Sequence, residues 1–122
     1  MRYIRLQKNR TDVGLHRNGP WYLENGMLHN RYVNTIVNPR DMALGYDGDH
    51  LLKYGSLEMV KPHMENYQKE MKIAGIKTDV SVISFADYPF LSADDICTIA
   101  NYAGNTVSGV EIKMMMYSMS EQ

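Results

Sequence analysis

Disulfide bonds, membrane spans and secretory signals are all missing from this 122-residue sequence. Its single cysteine, Cys97, cannot form an intramolecular disulfide, so we expect a reducing compartment and a cytoplasmic protein. No stretch approaches the roughly 18 apolar residues of a membrane span. The basic N-terminus is not followed by the apolar run of a signal peptide. These absences favour a globular protein that folds without covalent links and does not insert into a membrane.

Motifs that specify a chemistry are also absent. The chain has no G-x-x-x-x-G-K-[ST] or G-x-G-x-x-G phosphate loop, and no G-x-S-x-G turn for a nucleophilic serine. Its four histidines are not spaced as paired metal ligands, and the turn Asp47–His50 lacks the further oxygens of a calcium loop. We therefore predict no cofactor, no metal and no identifiable catalytic residue. A small hydrolase or nuclease, whose side chains converge only in space, is a third-ranked hypothesis.

Length and composition predict one α+β domain. A chain of this length can bury roughly two-thirds of its unfolded surface around one core. The proportions of 44% hydrophobic and 22% charged residues are typical of globular proteins. We predict a mainly β region at residues 1–55, an α/β region at residues 56–117 and a tail at residues 118–122.

The first region is predicted to be an antiparallel meander that contains two hairpins. Asn25-Gly26 is the pattern most typical of a two-residue hairpin turn, and Asp47-Gly48 predicts a second turn of type I′. Breakers such as Asn18-Gly19-Pro20 separate the strands. The predicted strands are Met1–Leu6, Val13–Arg17, Trp21–Glu24, Met27–Val37, Met42–Tyr46 and His50–Tyr54.

The second region is predicted to run helix, strand, helix, strand. Ser92 and Asp95 have the spacing of a capping box at a helix start, and Gly104 marks the end of that helix. Its apolar stripe consists of Ile96, Ile99, Ala100 and Ala103, with Cys97 beside it as a small core residue. Strands are predicted at Val80–Phe85 and Val110–Tyr117. Because a crossover helix joins them, we expect these strands to share a sheet.

The preceding helix has two possible starts. Proline is best tolerated in the first helical turn, which favours a start at Pro62 and leaves Leu57–Lys61 as a strand end or separate turn. The alternative begins at Ser56 and kinks at Pro62. In either case Gly75 ends the helix. Its predicted stripe is Met64, Tyr67, Met71 and Ala74.

Charge divides the chain into two unlike parts. Residues 1–40 contain seven basic and two acidic residues, a net charge of +5, whereas residues 41–122 contain six basic and twelve acidic residues, a net charge of −6. Such asymmetry is typical of proteins that bind anionic partners or associate head to tail.

The leading functional hypothesis is a small non-enzymatic binding protein, expected to be a homo-oligomer, for a nucleotide-type ligand or nucleic acid. Cations attract phosphates, while aromatic rings and guanidinium planes stack on bases, and both residue types alternate on the N-terminal strands. The predicted ligand-binding residues are Arg2, Arg5, Arg10, Arg17, Arg31, Tyr3, Tyr22 and Tyr32.

The alternative hypothesis is a protein-directed inhibitor or adaptor whose acidic C-terminal half meets a basic groove on a host protein. The small, motif-poor chain, rich in Met, Asn and Tyr, suggests a phage or mobile-element accessory protein that acts on a host enzyme, although no residue specifies that class. A methionine-rich last strand is core if central, and pairs with another chain in a homo-oligomer if it lies at an edge. The predicted partner-binding residues are Asp79, Asp87, Asp94, Asp95 and Glu111.

Overall fold

A computed structural model describes residues 19–105 and 108–120. Within them the chain is α+β, as predicted, with two antiparallel three-stranded sheets and three helices. The predicted strands Met1–Leu6 and Val13–Arg17 lie outside the described residues. The elements are β1 (Trp21–Glu24), β2 (Met27–Asn30), β3 (Ile36–Val37), β4 (Met42–Asp47), β5 (His50–Ser56), α1 (Leu57–Ile73), β6 (Val80–Ser84), α2 (Ala93–Ala103) and α3 (Gly109–Ser120), with short 3-10 turns at Pro39–Asp41 and Phe85–Asp87.

Sheet 1 contains β1, β2 and β3 in that order. The Asn25-Gly26 turn is confirmed, since both residues have positive φ, +56° and +77°, as a type I′ turn requires. The prediction that β2 continues to Val37 is wrong. Asn30 ends the strand because its Oδ1 accepts the N–H groups of Tyr32 and Val33, which turns the chain back so that β3 pairs with β2.

Sheet 2 has the order β5-β4-β6, and all its pairs are antiparallel. The predicted second hairpin is present, but its turn residues are Gly48-Asp49 rather than Asp47-Gly48. Only Gly48 has positive φ, +63°, so the turn is not of type I′. Asp47 instead remains in β4, where its carboxylate accepts hydrogen bonds from the Tyr67 hydroxyl and the Asp79 N–H. The two predicted hairpins therefore lie in different sheets.

Helix α1 begins at Leu57 with Ser56 as its N-cap, so the favoured start at Pro62 is wrong and the alternative start at Ser56 is right to within one residue. Pro62 is the sixth residue of the helix and removes only the one N–H that would bond to the carbonyl of Glu58. Burial of Val60 and Met64, one turn apart, favours the helix over a break. The helix packs closely on β4, since a Cβ on Gly45 would lie 2.6 Å from the Met64 sulfur.

Helix α2 has the predicted bounds and cap. The Ser92 Oγ accepts the Asp95 N–H at 3.1 Å, and the Asp95 carboxylate accepts the Ser92 N–H at 3.1 Å. Its predicted apolar stripe is buried. Cys97 is half-buried against the same core, and burial raises the pKa of its thiol, with the nearby charge of Asp94 adding to the rise.

The predicted last strand, Val110–Tyr117, is wrong because Gly109–Ser120 forms helix α3, which also contains the start of the predicted tail. A second capping box begins this helix. The Ser108 Oγ accepts the Glu111 N–H at 3.2 Å, and Glu111 Oε1 accepts the Ser108 N–H at 3.1 Å. The buried side chains Ile112, Met115, Met116 and Met119 follow at helical spacing. The alternation seen in the sequence fitted a strand equally well because methionines occupy both faces.

Sheet 2 lies between two packed layers. On one face Ala43 of β4 packs with Val60 and Met64 of α1. On the other face Leu44 and Tyr46 belong to the larger core cluster, which includes side chains of α2, α3 and sheet 1. The main core therefore forms where sheet 1 and two helices meet the same face of sheet 2.

A buried asparagine of α2 binds the backbone of sheet 1 at Trp21, where the Cys97 thiol also donates to the Trp21 carbonyl oxygen at 3.6 Å. Asn101 is 2% exposed. Its Oδ1 accepts the Trp21 N–H at 2.8 Å, and its Nδ2 donates to the Trp21 carbonyl oxygen at 3.0 Å. The two bonds satisfy the backbone of the edge strand β1 as a neighbouring strand would.

Asn101→Ala is expected to lower the free energy of unfolding by about 1–3 kcal/mol, because the buried Trp21 N–H loses its partner and the Trp21 carbonyl oxygen keeps only the Cys97 thiol as a donor. Chemical denaturation followed by circular dichroism measures the change. The control Asn66→Ala removes an exposed asparagine of α1 that donates only to Glu70, and is expected to shift stability by less than about 0.5 kcal/mol. Equal effects of the two substitutions would contradict the assigned role of Asn101.

Candidate functional site

Three of the eight predicted ligand-binding residues lie in the described part of the chain, and all three are on or beside sheet 1. Tyr22 is in β1, while Arg31 and Tyr32 follow β2 directly. The other predicted residues lie outside the described residues: Arg2, Arg5, Arg10, Arg17 and Tyr3.

The outward face of sheet 1 brings Tyr22, His29 and Arg31 together, and we call these residues the Tyr22 cluster. Tyr22 and His29 are directly opposite in the β1–β2 register. Their rings stack at 5.2 Å between centroids with an angle of 18°. The Arg31 guanidinium carbon lies 4.7 Å from the centre of the Tyr22 ring, a cation–π contact. The face therefore presents a cation, a phenol and an imidazole within one cross-strand neighbourhood.

Backbone contacts hold Arg31 in this position. Its N–H donates to the Pro20 carbonyl oxygen at 2.7 Å, and its Nε donates to the Gly19 carbonyl oxygen at 3.1 Å. The segment that supplies these carbonyls leads directly into Trp21, which Asn101 anchors. The position of the guanidinium therefore depends on the anchoring of β1.

Arg31 and Arg40 differ in what their guanidinium groups can still bind. Arg40 donates to the carbonyl oxygens of Phe85, Tyr88 and Leu91, so it fixes the loop that precedes α2. Arg31 is exposed, and within residues 19–105 and 108–120 no acceptor contacts its terminal nitrogens. Those two nitrogens can bind an anion's oxygens bidentately. Tyr32, which is 78% exposed, lies beside it as a further stacking surface.

The predicted acidic residues fall into two groups. Asp95 and Glu111 belong to the capping boxes of α2 and α3, and Asp95 is buried. Asp79, Asp87 and Asp94 are exposed on three separate segments: the turn before β6, the 3-10 turn after it and the first turn of α2. Two of the five carboxylates thus stabilise helix starts, and the exposed three are spread along the chain.

Sequence reasoning missed the outer face of α3, formed by Val110, Met114 and Tyr117. These side chains are 68%, 56% and 56% exposed, and lie opposite the buried face of the same helix. The Tyr117 and Tyr88 rings meet at 5.9 Å, and Tyr88 meets the exposed Phe90 at 6.0 Å. A helix with apolar residues on both sides is typical of a surface that packs against something else. The Ser108-x-x-Glu111 pattern was the signal that could have indicated this helix.

Asp47 joins the end of β4 to α1 and to the start of β6. Its carboxylate accepts the Tyr67 hydroxyl, and also the Asp79 N–H at 2.8 Å. The bond from Tyr67 and then that from Asp79 lower the pKa of Asp47, with the charge of His50 assisting. The same bond raises the pKa of Tyr67. These groups cross-link secondary structure elements, which is a structural role.

Neither a metal site nor a membrane span is found in the described parts of the chain. Among residues 19–105 and 108–120, no three His, Cys, Asp or Glu side chains are grouped closely enough to hold a metal ion. Within the same residues, no helix has the length and apolar character needed to cross a membrane. Comparison with protein-family models, curated proteins and solved structures finds no match to this chain.

Tyr67→Phe is expected to make the free energy of unfolding less dependent on pH in acid. Because the folded pKa of Asp47 is lowered, its stabilising contribution is present above the unfolded value of about 3.9 and is lost as pH falls through the folded value. Urea denaturation at about pH 7 and about pH 3 measures the difference. Tyr32→Phe, a hydroxyl deletion on sheet 1, should keep the wild-type difference. If Tyr67→Phe kept the wild-type difference in unfolding free energy between about pH 7 and about pH 3, the role assigned to the bond from Tyr67 to Asp47 would be contradicted.

Proposed function

We propose that this protein is a non-enzymatic binding protein that captures a phosphate-bearing ligand, either a nucleotide or single-stranded nucleic acid, on the outward face of sheet 1. The observation that carries the proposal is the Tyr22 cluster, in which an exposed guanidinium lies against an aromatic ring. Cations bind phosphate oxygens and aromatic faces stack on bases. Because His29 and Arg31 already contact the Tyr22 ring, the guanidinium offers the phosphate contact and the neighbouring Tyr32 ring, which is 78% exposed, offers the stacking contact.

The arrangement of Arg31 supports binding by an already ordered site. Its Nε bond to Gly19 and its contact with Tyr22 restrict the side chain before any ligand arrives. A restricted donor loses less conformational entropy on binding. The basic residues of the first 18 positions extend the same proposal, because each further phosphate contact adds affinity and salt dependence.

Arg31→Ala is expected to weaken binding of an oligothymidylate of about 12 nucleotides by about fivefold to tenfold at low salt. It should also reduce the slope of log K against log salt by about 1, because one phosphate contact is lost. Fluorescence anisotropy with a labelled oligonucleotide measures both quantities, and competition with ATP tests whether a mononucleotide suffices.

Lys69→Ala is the matched control, because Lys69 is an exposed cation on α1 and does not belong to sheet 1. It removes the same charge and should change affinity by less than about twofold. Absence of binding by the wild-type protein at low salt, or equal losses in the two variants, would contradict the proposal.

A second candidate function is protein-directed binding, and the outer face of α3 is the observation that favours it. Met114 and Tyr117 are exposed apolar side chains one turn apart. A helix face of this kind fits an apolar groove on a partner protein. Asp87 and Asp94 are exposed and could add charge complementarity with a basic partner. Reversing Asp95 would not test this, because the buried carboxylate caps α2.

Met114→Glu is expected to weaken binding of a partner isolated with the wild-type protein by about tenfold, because it places a charge in the apolar contact. The partner is first captured from source cells, purified and then measured by isothermal titration calorimetry. Ile73→Glu makes the same change at another exposed apolar position, at the end of α1, and should retain binding. Failure to isolate a partner, or retention of full affinity by Met114→Glu, would remove this candidate.

A further inference from the structure

A cleft of about 320 Å³ lies between helix α1 and strand β6 on one face of sheet 2. Its volume is near the lower end of the range of about 300–1,000 Å³ that is typical of small-molecule sites. The walls combine four apolar residues with five polar ones: Leu57, Met64, Val80 and Val82, and Lys61, Glu65, Gln68, Ser84 and Asp87. Apolar walls with a few polar groups are the usual composition of a site for a small organic ligand.

Ser84 presents a buried hydroxyl to this cleft. Val80, Val82 and Ser84 alternate along β6 and all three line the cleft, so their side chains share the face of the strand toward α1. Ser84 is 8% exposed, and its Oγ has no hydrogen-bond partner among residues 19–105 and 108–120. Buried side-chain oxygens in native proteins nearly always have a partner, so a polar group bound within the cleft would supply the one that Ser84 lacks.

The strand register shows which residues lie at the same end of the cleft. Ser84 is level with the end of β5, since both pair with the start of β4. Helix α1 follows β5 directly and therefore begins beside Ser84. Farther along the helix, Tyr67 donates to Asp47, which pairs with Val80. The first turns of α1 therefore lie toward the Ser84 end of the cleft, and Gln68 lies toward the Val80 end.

The Ser84 end of the cleft combines opposite charges. Lys61 is in the second turn of α1, and Asp87 is in the 3-10 turn that follows β6. Both residues are exposed and line the cleft, and within the described part of the chain neither side chain forms a hydrogen bond or ion pair. A cation, a carboxylate and a hydroxyl are thus available at one end, and Met64 and Val82 form an apolar wall beyond them.

We propose that this cleft binds a free α-amino acid with an apolar side chain. The Lys61 ammonium binds the carboxylate of the ligand, while Asp87 and the Ser84 hydroxyl accept hydrogen bonds from its ammonium group. The ligand's side chain lies along Met64 and Val82. An α-amino acid carries both charges on one carbon atom, which matches opposite charges at one end of an apolar cleft. The site is on sheet 2 and is independent of the ligand proposed for sheet 1.

Titration of the isotope-labelled protein with L-leucine, followed by amide chemical shifts, tests the site. L-leucine should shift the amides of β6 and of the first turns of α1, with a dissociation constant below about 1 mM. 3-Methylbutylamine, which lacks the carboxylate, and N-acetyl-leucine, which lacks the ammonium, should each bind at least about fivefold more weakly.

Two results of this titration would overturn the proposal. One is the absence of shifts along β6 at about 10 mM leucine, which is ten times the highest dissociation constant expected. The other is an amine that binds as tightly as leucine. Glu65 gives the cleft one more carboxylate than cation, so that result would identify the ligand as an amine.

Charge removal tests the two ends of the ligand separately. Lys61→Met and Asp87→Asn should each weaken leucine binding about fivefold. Lys61→Met should also abolish the preference for leucine over the amine, which a purely structural lysine would leave unchanged. The matched controls Lys113→Met and Asp94→Asn are on α3 and α2, at the other face of sheet 2, and should change affinity by less than about twofold. Equal losses in the cleft variants and their controls would contradict the assigned contacts.

Ser84→Ala tests the buried hydroxyl. It should weaken leucine binding about threefold to tenfold. It should not lower the free energy of unfolding, because the hydroxyl has no partner among the described residues before a ligand binds. Wild-type affinity for leucine in Ser84→Ala would overturn the role assigned to this residue.

Discussion

The two hydrogen bonds between Asn101 and the backbone of Trp21 are the constraint on which the arrangement of this protein depends. Sheet 1 consists of strands of four, four and two residues, and a ribbon of that size is marginally stable alone. Asn101 takes the place of a fourth strand beside β1. The chain approaches so closely that a Cβ on Gly19 would lie 2.6 Å from Asn101 Oδ1. Because Gly19 and Pro20 also hold Arg31, the same contact positions the Tyr22 cluster.

The parts of the fold that sequence could predict are those with local signals. The Asn25-Gly26 hairpin and the cap of α2 depend on neighbouring residues, so their patterns suffice. The prediction of a last strand was wrong because Val110–Met116 alternates in apolar character while also containing a helical stripe. Methionine is a good helix former, and that preference favoured the helix. The Ser108-x-x-Glu111 box was the local evidence for a helix. The end of β2 depends on the Asn30 side chain, which an alternation pattern does not reveal.

The part of the candidate site that is formed by residues close together in the sequence could be predicted. Tyr22 and Arg31 were expected on one surface because a hairpin brings its two strands together, and they are in contact. Asn101, 80 residues from Trp21, gives no sign in sequence that it anchors β1. For two acidic residues, the sequence suggested a partner that the structure does not require. Negative charge at Asp95 and Glu111 indicated a binding surface, whereas those carboxylates accept backbone N–H groups at helix starts. Charge counted along a sequence does not separate solvent-facing groups from caps.

We propose that the outward face of sheet 1, held by Asn101, is a surface for a phosphate-bearing ligand. Titration of the isotope-labelled protein with an oligothymidylate at low salt, followed by amide chemical shifts, tests it most directly. We expect concentration-dependent shifts at Tyr22, His29, Arg31 and Tyr32, with none along α1 beyond its first turn. Shifts confined to α1 or to the outer face of α3, or no shifts at all, would contradict it.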